Sequence, residues 1–123
     1  MSYDVRIGVK VADTDNIYAV IDEPSLSSPT YNLKEMFQKC TGWNYRQGEW
    51  YRVCDVLPLI KRGIQELSLR PEQYEKYNAP NGWGTVESAL HALQSMEECI
   101  RDNAEGASKT WNDIPLEAMY IRW

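Results

Sequence analysis

Residues 3 to 11 alternate without interruption. Tyr3, Val5, Ile7, Val9 and Val11 are apolar, and Asp4, Arg6, Gly8 and Lys10 stand between them. Side chains along a strand point to opposite faces with a period of two, so this is a strand with one face buried and one in water. Such a strand cannot stand alone. It needs other strands to pair with and a layer to cover its apolar side.

The partners come from both ends of the chain. Residues 12 to 16, ADTDN, are turn formers, and residues 17 to 21, IYAVI, are rich in β-branched types. A hairpin is the shortest connection between two such strands. At the other end, Met119, Ile121 and Trp123 alternate with Tyr120 and Arg122. That segment reads as a strand pairing with the N-terminal hairpin.

The covering layer is helical. Asn32 with Glu35 three positions later resembles a capping box. Leu33, Met36, Phe37 and Cys40 then share one helix face, and Gly42 stands where a left-handed C-terminal cap belongs. Asp55 reads as the next N-cap, with Pro58 in the first turn and Val56, Leu57, Ile60, Ile64 and Leu67 as the apolar stripe. Gly63 weakens that helix by about 1 kcal/mol relative to Ala but permits a close crossing. Pro71 opens a short helical segment carrying Tyr74 and Tyr77. Thr85 caps the last helix, whose stripe is Val86, Ala89, Leu90, Leu93, Met96 and Ile100. Residues 43 to 54, WNYRQGEWYRVC, fit a tight turn, a short hairpin around Arg46-Gln47-Gly48, or a packed loop. Grouped strands and grouped helices predict one α+β domain over residues 1 to 123. In it, a small antiparallel sheet, the N-terminal hairpin plus the C-terminal strand, packs against three to four helices.

Composition narrows the function. The formal net charge is -5, so non-specific nucleic-acid binding, which needs a basic surface to release counterions, is not expected. No apolar run reaches the roughly 20 residues of a membrane span, and no signal peptide is expected at the N-terminus. Cys40, Cys54 and Cys99 are far apart and odd in number, which predicts reduced thiols in a cytoplasmic protein rather than a disulfide framework.

The parts that a reaction needs are not in evidence along the chain. The one histidine, His91, falls on the polar side of the last helix, and no Gly-x-Ser-x-Gly turn presents a nucleophile. DTDN at 13 to 16 resembles the start of a calcium loop but lacks the Gly and the bidentate Glu at the required offsets. No Cys-x-x-Cys pair supports a zinc site. The eighteen acids contain no pair that spacing alone marks as catalytic. GWGT, 82 to 85, could hold an anion on helix amides but brings no lysine. No catalytic residue, metal ligand or cofactor is therefore expected.

Binding is better supported. The chain has five Trp and eight Tyr against one Phe, a bias toward rings with a polar edge, which suit half-buried surfaces. Trp43, Tyr45, Trp50 and Tyr51 are interleaved with Arg46 and Arg52, and Trp83 lies between two glycines just before a helix. Rings beside guanidinium groups can anchor a protein interface or stack on a base. The same rings can equally close the edge of a small core, with Trp83 as a wedge that fixes how the last helix enters.

Four segments, YNLKEMFQKCTGWNY, QGEWYRVCDVLPLIKRGIQEL, YEKYNAPNGWGTVESAL and IPLEAMYIRW, resemble small uncharacterised proteins of phages, prophages and other mobile elements of Gram-positive gut bacteria. The resemblance spans roughly residues 31 to 123 and carries no established site. It implies a gene product acting in the cytoplasm of a bacterial host, where such proteins include inhibitors of host defence such as anti-CRISPR proteins. The expectation is thus a non-enzymatic binding protein that occludes a host protein. A protein that sequesters a small ligand or a nucleotide between the two Gly-Trp loops and an enzyme with an acid/base site not apparent in the sequence are the alternatives. A homodimer paired along an exposed sheet edge is a further expectation.

Overall fold

The structure, a computed structural model, describes residues 2–11, 18–26, 28–82, 84–107 and 112–123. The turn expected at 12 to 16, with its calcium-like start, lies outside them, and so does Trp83. Four strands form one antiparallel sheet: β1 (Arg6–Lys10), β2 (Tyr18–Asp22), β3 (Trp50–Arg52) and β4 (Met119–Arg122). Their order is β2-β1-β4-β3. The hairpin and the C-terminal strand pair as the alternation requires, with Ile7 opposite Ile121 and Gly8 opposite Tyr120. The fold is α+β, with this sheet packed against three helices, α1 (Lys34–Thr41), α2 (Val53–Leu69) and α3 (Val86–Asn103).

The sheet has one strand more than the alternating segments supply. β3 is three residues long, too short to show a period, and it exists because β4 offers it an edge, pairing Tyr51 with Ile121. β3 runs directly into α2. The helix therefore starts at Val53 with extended Arg52 at its cap, and Asp55 is in its first turn instead of capping it. That earlier start puts Pro58 inside the helix rather than in the first turn. At the other sequence-marked start, the chain first makes a 3-10 turn, Tyr31–Leu33, capped by Thr30, and α1 follows without a side-chain cap of its own. The tyrosine-rich segment after α2 is two 3-10 turns, Pro71–Gln73 and Glu75–Tyr77.

Other local signals act as written. Gly42 ends α1 at φ 75° and donates its N–H to Gln38 O at 2.9 Å. Thr85 caps α3, its hydroxyl accepting from the Ser88 N–H at 3.2 Å while Ser88 Oγ accepts from the Thr85 N–H at 2.8 Å. Gly84 precedes the cap at φ 137°, a conformation closed to residues with a Cβ, and a Cβ there would also press on Leu33 at 3.0 Å. Gly63 is where α2 meets its neighbours; a Cβ would lie 2.6 Å from Thr41 Cγ2 and 2.8 Å from Leu93 Cδ1.

The core lies between the helices and one face of the sheet. Val5, Ile7, Met119, Ile121 and Trp123 point inward and meet Phe37, Ile60, Leu93 and Met96. Fully buried Asn103 ties the end of this layer together. Its Nδ2 donates to Asp22 Oδ2 at 2.8 Å and to Cys99 O at 2.8 Å, and its Oδ1 accepts from Asn112 Nδ2 at 2.6 Å. Among the described residues, no helix is long and apolar enough to cross a membrane.

Candidate functional site

The aromatic–arginine set picked out along the chain divides between the two sides of the sheet. Trp43 and Tyr45 belong to the core, 4% and 2% exposed. Tyr45 stacks on Trp123 with ring centroids 4.1 Å apart and planes at 15°. Trp43 stands edge-on to Tyr51 at 5.2 Å and 5.6 Å from Trp123. The Tyr3 and Tyr45 hydroxyls are hydrogen-bonded at 3.0 Å, and burial raises the pKa of both phenols. Half-buried Tyr51 closes the loop above them. Its hydroxyl accepts from the Arg46 N–H at 2.7 Å and donates to Glu49 Oε2 at 3.1 Å. Exposed Arg46 stands 4.0 Å from Glu49. Residues 43 to 49 are thus the lid of an aromatic core. A ligand clamped between the two Gly-Trp loops would need the face of Trp43, and that face is packed.

Trp50 and Arg52 point the opposite way, because successive residues of a strand alternate sides. They share the outer face of the sheet with Arg6, Gly8, Lys10, Tyr18, Tyr120 and Arg122. Trp50 on one edge strand and Tyr18 on the other stack at 4.9 Å and 15°. Neighbouring strands are about 4.8 Å apart, so only two large side chains leaning inward can meet across β1 and β4. Gly8 makes room for them. A Cβ there would come within 2.7 Å of Trp50 Cη2 and 2.7 Å of Ala19 O. Tyr120, 9% exposed, fills the space beside Tyr18 at 5.1 Å.

Cations surround these rings. The Arg122 guanidinium lies over Trp50, 5.2 Å from the ring centroid, and Lys10 Nζ lies over Tyr120 at 5.8 Å. Arg52 interacts with the Tyr120 hydroxyl, the main cause of an upward shift in its pKa. Among the described residues, no carboxylate is within ion-pair distance of Lys10, Arg52 or Arg122, whereas Arg6 is paired with Asp4 at 2.8 Å and Glu23 at 3.0 Å. In a chain of net charge -5, three cations thus gather on one face without an ion-pair partner among the described residues, with Asp55 the carboxylate that acts on Arg52 from the first turn of α2.

His91 is exposed on α3 at the rim of a cleft of about 710 Å³, lined also by Ser25, Thr30, Leu33, Thr85 and Ser88. Ser88 Oγ is engaged in the capping box and donates to Thr85 O at 3.0 Å. The helix amides are engaged too: the Val86 N–H donates to Asn78 Oδ1 at 3.0 Å and the Ser88 N–H to Thr85. Two of the three first-turn amides of α3 are therefore taken, and Glu87 adds negative charge where an anion would sit. Cys40 and Cys99 are buried, and burial pushes both thiols from 9.0 up to about 12; Cys54 is exposed. Among the described residues, no group of three or more His, Cys, Asp or Glu could hold a metal ion.

Sequence reasoning did not include Tyr18, Tyr120, Arg122 and Lys10 in the site. The signal for three of them was present, since the period of two already sends Lys10, Tyr120 and Arg122 to the side opposite the core. Comparison of the chain with known protein families, with curated proteins and with solved structures finds no match to any of them.

Proposed function

We propose that this chain is a non-enzymatic binding protein that works by contact, and that its contact surface is the outer face of the sheet. The observation that carries this reading is the set of Lys10, Arg52 and Arg122 arranged around the Trp50 and Tyr120 rings on a face that no described helix covers. Tryptophan, tyrosine and arginine are the residue types on which interface energy concentrates. Here they are already braced against one another, so little ordering cost remains on binding.

The resemblance to mobile-element proteins supplies the setting: the bacterial cytoplasm, with a host protein as the partner and counter-defence as the purpose. Affinity capture from lysate of a Gram-positive gut bacterium tests the reading. The wild-type chain retains a discrete host protein, and Trp50→Ala and the double variant Arg52→Glu/Arg122→Glu lose it while their circular dichroism is unchanged. A partner held equally by all three variants removes the sheet face as the contact surface. Turnover of a substrate that stops on replacing one polar side chain removes the non-enzymatic reading altogether.

A further inference from the structure

We propose that the outer sheet face receives an extended, acidic segment of a protein partner, with carboxylates on alternate residues seated on Arg52 and Arg122. This rests on the reading of the chain as a binding protein and specifies what it binds. β3 and β4 pair with Trp50 opposite Arg122 and Arg52 opposite Tyr120. The two arginines are therefore diagonal neighbours on one face. Diagonal neighbours in an antiparallel pair stand about 7–8 Å apart. Alternate side chains of an extended chain are spaced by about 6.5–7 Å. Acidic residues two positions apart on an extended segment therefore match the spacing of the two arginine positions.

Arg122 is positioned before any partner arrives, over the Trp50 ring at 5.2 Å, and exposed Arg52 lies beside it in the pairing register, interacting with the Tyr120 hydroxyl. A guanidinium is a planar fork that takes a carboxylate through two parallel hydrogen bonds, which a lysine cannot do. Lys10, over Tyr120 from the β1 side, adds a third positive charge to the track. The rest of the molecule carries the excess of acid, so an acidic partner is repelled elsewhere and oriented onto this face.

The same geometry disfavours a single-stranded nucleic acid. Base stacking needs ring faces that are open. Trp50 is already engaged by Tyr18 and by Arg122, and Tyr120 is nearly buried.

The test is an NMR titration of the labelled protein with an end-blocked peptide of about ten residues alternating Glu and Ser. Two comparators are used: a peptide of the same composition with its glutamates in one block, and oligo(dT) of equal length. The alternating peptide produces saturable shifts of the Arg52 and Arg122 side-chain N–H signals and the Trp50 indole, weakening as salt is raised. Hydrogen bonds to a charged group set the expected loss in Arg52→Gln or Arg122→Gln at about tenfold or more each. The blocked peptide binds several-fold more weakly. Equal binding of the two peptides, shifts centred elsewhere, tighter binding of oligo(dT), or self-association through this face without peptide each overturn the proposal. A host protein captured through Trp50 but not displaced by saturating alternating peptide also overturns it, while leaving the contact reading in place.

Discussion

Asn103 shows how much one buried amide can organise. Its single side chain joins the end of β2, the last turn of α3 and the segment entering β4. Asn103→Ala removes the hydrogen bonds to Asp22, Cys99 O and Asn112 from a fully buried site, and chemical denaturation in urea is expected to show a loss of about 2–3 kcal/mol, the largest share from the bond to the Asp22 carboxylate. The thiols give a second residue-scale outcome. Cys40 and Cys99 are buried and shifted up to about 12, so a thiol reagent at pH 8 titrates only Cys54 in the native protein and all three cysteines after denaturation. These shifts also fix the sign of the alkaline response. A folded-state pKa above the unfolded one means that the native protein holds its proton more tightly. The stabilisation is complete below pH 9.0 and is lost as pH climbs from there toward about 12, so the melting temperature falls over that window. Gly8 is the residue on which the outer face depends. Gly8→Ala displaces the Trp50 ring, costs about 1–3 kcal/mol as an overpacking change, and alters tryptophan fluorescence.

At the scale of elements, α2 carries an avoidable cost. Pro58 lies inside the helix, where its ring removes a backbone donor and crowds the carbonyl one turn back. An interior proline costs about 3 kcal/mol, and its stiffening of the unfolded chain returns at most about 1 kcal/mol. Pro58→Ala is therefore expected to stabilise the protein by about 2 kcal/mol, read as a rise in melting temperature. The start of α3 behaves oppositely. Thr85→Ala breaks a reciprocal cap and is expected to cost about 1 kcal/mol. The helices were legible because their signals are local and mutually consistent: a period near 3.6, Gly42 as the closing cap and Thr85 as the opening one. β3 was not legible. Three residues contain too little pattern to declare a strand, and this one is decided by the free edge of β4. Its handover to α2 then displaces the helix start, which is why Asp55 and Pro58 fall at positions different from those their residue types suggest.

Over the whole molecule, charge is distributed against its own average. The acids outnumber the bases, 18 to 13, yet the outer sheet face gathers Lys10, Arg52 and Arg122 with no carboxylate at ion-pair distance among the described residues. Arg52 is exposed and contributes little to folding, whereas half-buried Arg122 packs over Trp50, so Arg52→Glu/Arg122→Glu is expected to cost about 1 kcal/mol, too little to unfold the chain, while removing partner capture. The sequence by itself determined which way side chains point: inward for Ile7, Met119 and Ile121, outward for Lys10, Tyr120 and Arg122. Direction follows from local backbone geometry, and a period of two or 3.6 is enough to reveal it. Only the tertiary structure decided which of these residues become neighbours. Trp43 and Trp50, seven positions apart with near-identical surroundings in the chain, end on opposite sides of the sheet, one packed into the core and one laid across the outer face. What separates them is the pairing of β3 with a strand at the far end of the chain, a long-range contact that no local pattern encodes.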